Sequence, residues 1–338
     1  RLGIDMKGSL HSDVVTAHWT TEATLHGGDI TLGIPMKNVR GVIGITSGKF
    51  DGTTVSAVGS AAFEQATILT LPFTELQTPF RVEGSLVSIG APSWDNLKPS
   101  EVKPRFAGRS MKAALYGGHV SVDATANVDP VNSERSTYAL QLLVEGVKLH
   151  AIAQANQWRE RLYGDIRASL SLRGVGSDVS KIVTEDRTKN WVQIQPARLL
   201  DLPIFVRLFE LISFTPGENF MFNSAEGEFR IKDAQVDFSS IRLEGASISL
   251  IGQGTVGLTL SHALDLQFLH RARSQYPVLK QLTDALGRGW IAISVRGTVE
   301  NPVVNQQPRL PIVTPAIDAL MRSMEQPQMR PVSRPAAR

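Results

Sequence analysis

At 338 residues, with 42% hydrophobic and 20% charged side chains, the chain carries enough apolar mass for a sizeable core and too little charge to be a disordered polyelectrolyte. It has no cysteine, which excludes disulfides, thiolate catalysis and cysteine-based zinc sites, and no apolar run of about 18 residues that would cross a bilayer as a helix. The net charge of +3 comes from interspersed charges of both signs, without the basic stripe and stacking aromatics of a nucleic-acid binder.

Taken in order, residues 1–90 read as a β-meander of short alternating strands. Val14, Ala17 and Trp19 lead into Ala23–Leu32, followed by Gly41–Thr46, Thr53–Gly59, Ala66–Leu71 and Phe80–Ile89, with turns expected at Gly27-Gly28, Gly48 and Asp51-Gly52. The chain begins at Arg1 rather than methionine, so it reads as a piece of a longer protein whose upstream anchor lies outside it. A Pro-rich connection at 91–104 marks the expected boundary between subregions.

Residues 105–304 form the second β region. Arg109–Ala124 places Gly117-Gly118 between alternating strands much as Leu25–Leu32 places Gly27-Gly28, which suggests one hairpin unit used twice. Helical spacing interrupts the strands near 150–162, 203–213 and 277–286; the second has Pro203 at a first-turn position and an apolar stripe of Ile204, Phe205, Leu208, Phe209 and Ile212. From Glu226 onward the period-two pattern is strongest: Phe229 and Ile231, Val236 and Phe238, Ile248 and Leu250, Val256, Leu258 and Leu260, Leu264, Leu266 and Phe268, and then Ile291, Ile293 and Val295. Lys232–Ala234, Glu244-Gly245, Gly252–Gly254 and Ser261-His262 separate these runs as expected tight turns, which makes the strands antiparallel neighbours. Residues 305–338, rich in Pro and Arg, read as a disordered tail.

Enzymatic chemistry finds little support. His11, His18, His26, His119, His150, His262 and His270 are scattered without metal-ligand spacing. Asp233, Asp237 and Glu244 alternate with apolar residues and read as a solvated strand face, and no glycine-rich phosphate loop occurs. The expectation is a protein without catalytic residues, metal or cofactor.

The stretches Gly164–Asp178, Phe222–Ala234, Gly252–Val256 and Val295–Val303, together with the apolar helix near Ile204, resemble the C-terminal region of AsmA-family envelope proteins, best over 137–304. The resemblance implies a long, twisted antiparallel sheet curled into an apolar groove, as in bridge-like lipid transfer proteins. It also implies a periplasmic, inner-membrane-tethered chain that moves phospholipid for outer-membrane maintenance in a Gram-negative bacterium, with acyl chains as ligand and the two membrane surfaces or envelope proteins as partners. The alternating residues named from Phe229 to Val295 would then line the groove; without the resemblance they read as a sandwich core. A structural or assembly factor binding partners through its sheet edges is the leading alternative, and a carbohydrate-binding β protein with aromatics and carboxylates on its outer face is a third. About 16 strands at about 4.8 Å each would extend roughly 75 Å.

Overall fold

The period-two spacing becomes strand over longer stretches than the glycine punctuation suggests. In a computed structural model, residues 2–307 are described apart from 12–13, 33, 69, 91–109, 159–160, 177, 186–187, 213–220, 247, 259–262 and 273–290. The first half comprises β1 (Leu2–His11), β2 (Val14–Leu32), β3 (Ile34–Phe50), β4 (Val55–Ile68), β5 (Leu71–Glu83), β6 (Leu86–Ile89), β7 (Met111–Leu115), β8 (Gly118–Asn127) and β9 (Thr137–Lys148). After α1 (Leu149–Ala155) come β10 (Tyr163–Val175), β11 (Val183–Thr184), β12 (Asn190–Arg198) and α2 (Pro203–Leu211). The remainder is β13 (Phe222–Lys232), β14 (Gln235–Gly245), β15 (Ile248–Gly257), β16 (Ala263–Ala272), β17 (Ile291–Thr298) and β18 (Pro302–Gln307).

All 18 strands belong to one antiparallel sheet, and the protein is mainly β. Each strand pairs with its neighbours in sequence, except where two short strands lie end to end. β6 and β7 share the position between β5 and β8, and β11 and β12 share the one beside β10, so the strands fill 16 positions. The sheet therefore continues across residues 91–109, which lie outside the described residues.

Several glycines serve close approach rather than turning. Gly27 and Gly28 fall inside β2, where Gly27 has φ +98° and the register with β3 shifts, so only Gly117-Gly118 of the two expected hairpins turns the chain, between β7 and β8. Gly48 lies within β3, where a Cβ would overlap the Trp19 indole. Gly252 and Gly254 lie within β15, and a Cβ on either would collide with β16. At the second shared position Asn190, fully buried, replaces ladder bonds: its Oδ1 accepts from the Ser171 N–H at 2.8 Å and its Nδ2 donates to Thr184 Oγ1 at 3.0 Å.

The helices are shorter than their spacing suggests. α1 stops at Ala155 because Gln157 takes a left-handed φ of 55° and the Trp158 N–H returns to the Ala153 carbonyl at 2.9 Å, closing the helix end. α2 begins at Pro203 as its first-turn position predicts and ends at Leu211. Residues 277–286 and Leu260 lie outside the described residues, and β18 takes in Asn305–Gln307 from the expected tail.

Candidate functional site: the inner apolar face

Cross-strand register decides which side chains share a face. Leu25, Gly41, Phe63 and Leu76 stand side by side on β2 to β5. Across the irregularity in β5 the row resumes at Ala113 on β7 and runs through Val120, Val144, Ala168, Val192, Gly227, Ile241, Gly252, Phe268 and Ile293. It takes one residue from each successive position from β2 to β17, none of them charged or polar. At about 4.8 Å per strand this row measures on the order of 60 Å. A second row continues the face towards the other strand ends, through Ile45, Gly59, Phe80, Ile89, Ala124, Leu140 and Leu172.

Cover over this face is uneven. In the C-terminal part α2 lies on it, with Phe205, Leu208 and Phe209 buried and α2 also touching β18. Phe222, at the start of β13, meets the rings of Phe205 and Phe209 at 5.8 and 6.3 Å. Because α2 springs from the β12 end and reaches β18, the sheet between them curls around the helix. Ile248, Leu250, Leu264, Leu266, Phe268, Ile293 and Val295, all named from the sequence, are buried in this one cluster with α2. Phe229 is buried too, its ring 5.3 Å from Phe238, whereas Ile231, Val236, Phe238, Val256 and Leu258 are half-buried further along the same strands or just past their ends. Ile291 occupies the register position opposite His270.

Nearer the middle the face is less covered. Val122, Leu142, Val144, Val192, Ile194 and Ile241 are only half-buried although each points the same way as its buried neighbours. Sequence reasoning did not single them out, although Leu142 and Val144 fall in the expected strand 137–144 and Val122 in the alternating stretch 109–124. A second buried cluster, from Met36, Val39, Phe63, Ala66 and Leu76 to Val120 and Val147, fills the N-terminal part.

Titratable groups are few along this face. His270, buried beside Leu250, is held below the ordinary imidazole range by desolvation, partly offset by a hydrogen bond with the Ser249 backbone. Among the described residues no three His, Asp or Glu side chains converge as metal ligands, and no helix is long and apolar enough to cross a membrane. The chemistry available is that of an apolar surface in a polar shell. No family model matches this chain, and no curated protein or solved structure is significantly similar to it.

Proposed function

We propose that this chain is a non-enzymatic carrier or conduit for phospholipid acyl chains, of the AsmA-like type its sequence resembles, working in a bacterial periplasm between the inner and outer membranes. The observation that supports this reading is the apolar row from Leu25 to Ile293, in register on either side of the irregularity in β5 and on the order of 60 Å long. Transfer of an acyl chain through water costs about 0.8 kcal/mol per methylene, roughly 10 kcal/mol for a dozen. A continuous apolar strip removes most of that barrier, while the headgroup stays at the rim in solvent. On this reading the acyl chains lie over the half-buried stretch around Val122, Val144, Val192 and Ile241, and the cluster under α2 is the filled end of the trough.

Native mass spectrometry with lipid extraction, on protein purified from a periplasm without detergent, tests this. Co-purifying phospholipid supports the conduit; a mass that stays lipid-free after incubation with liposomes overturns it. A specific observation favours a second reading, that of an assembly factor binding partners at its edges: among the described strands β1 pairs only with β2, and β18 only with β17. A lipid-free chain that captures an extended peptide along β1 would support that role instead.

A further inference from the structure

The outward side of β12 to β14 carries a concavity that lipid carriage does not use. Since Val192, Gly227 and Ile241 point inward, Trp191, Gln193, Glu226, Glu228, Ser240 and Arg242 share the outer face. They line a shallow hollow of about 410 Å³. Trp191 is 38% exposed there, an indole facing solvent among polar and charged side chains. Its cross-strand neighbours are Ser169 and Glu228, and Ser240 stands beyond Glu228, so no bulky apolar group stands next to the ring across the strands.

The polar groups around the indole are held in place. Gln193 Nε2 donates to Glu226 Oε1 at 3.0 Å, and Lys189 Nζ contacts Glu228 Oε2 at 2.9 Å. Arg242 Nη1 lies 3.8 Å from Glu244 Oε1. Arg167, opposite Gln193, together with Lys189 and Arg242 balances Glu226, Glu228 and Glu244, so the hollow offers donors and acceptors around an aromatic platform with little net charge. That combination suits an uncharged polyhydroxylated ligand. The C–H face of a pyranose lies on an indole face, and its hydroxyls exchange hydrogen bonds with carboxylate, amide and guanidinium groups.

We infer that this hollow is a saccharide-binding subsite on the face opposite the apolar row. It would let the chain hold a glycan on its outer side independently of anything bound within.

The test is calorimetric titration of the intact chain with cellotetraose and chitotetraose, read alongside tryptophan fluorescence. The expected result is saturable binding of at least one, with Trp191→Ala weakening it about tenfold, the loss of one interfacial anchor, and Trp191→Phe keeping part of it. Glu226→Gln should also weaken binding, while Trp158→Ala, which removes another exposed indole, should not. Lipid content should be unchanged in Trp191→Ala, which separates failure of this inference from failure of the conduit. No binding of either glycan at millimolar concentration, equal binding by Trp191→Ala, or binding only of a charged peptide that disappears in high salt would each overturn it.

Discussion

Asp123, 1% exposed on β8, has Oδ2 accepting from Ser110 Oγ at 2.9 Å and Oδ1 without a hydrogen-bond partner. Desolvation pushes its carboxyl above the ordinary aspartate value, against the weaker pull of the Ser110 bond. The folded chain therefore binds the proton more tightly than the unfolded one, so stability falls as pH rises through the folded value. Asp123→Asn is expected to raise the denaturation midpoint at neutral pH by an amount corresponding to about 1–3 kcal/mol, with the gain shrinking in acid. His270 acts oppositely. Its lowered value means that the unfolded chain binds the extra proton first, so this contribution is present above the ordinary imidazole value and is lost as pH falls through it towards the folded value. His270→Gln should flatten that limb of a stability profile measured between pH 7 and 5. Neither residue stands out in the sequence: Asp123 occupies a polar slot in an alternating strand, and only the shared β6/β7 position buries it.

Among the elements, α2 links most of the C-terminal sheet. Phe222→Ala would remove the ring on which Phe205 and Phe209 both rest and is expected to cost about 3–5 kcal/mol, measured by chemical denaturation. The helix was legible because Pro203 and an apolar stripe fix its start and its buried side without reference to anything distant. Strand lengths were less legible. Glycine answers two needs, a left-handed turn and room for a neighbour's ring, and only the cross-strand partner tells them apart. Gly117 turns the chain, whereas Gly48 makes space for Trp19 and Gly252 for Phe268, residues 29 and 16 positions away.

Over the whole molecule, the inner face distinguishes two kinds of apolar position. Leu250 and Leu266 belong to the cluster around α2, so an Asp there should unfold the C-terminal part. Val144 and Val192 are half-buried, and Val144→Asp combined with Val192→Asp should leave the circular-dichroism spectrum unchanged while lowering co-purified lipid at least severalfold. Equal lipid content in this variant would remove the middle of the sheet from consideration as a lipid path. Alternation made the mainly β sheet and its inward residues readable. Which of them are covered depends on how far the sheet curls, and that is set by α2 reaching β18 six positions away.

The same neighbour-to-neighbour pairing has a consequence for how the chain comes apart. Because each strand pairs only with those at adjacent positions in the sheet, and α2 bridges only the C-terminal positions, the N-terminal half behaves nearly as a one-dimensional array, and fraying can begin at β1 without breaking the remainder. Amide hydrogen exchange should then form a gradient, fastest in β1, which has one neighbour, and slowest in β13 to β15, which hold the buried partners of α2. Uniform exchange along all the strands would mean that the sheet opens as a single unit. A gradient would mean that the chain zips outward from its C-terminal half, giving the end at β1 the least persistent structure.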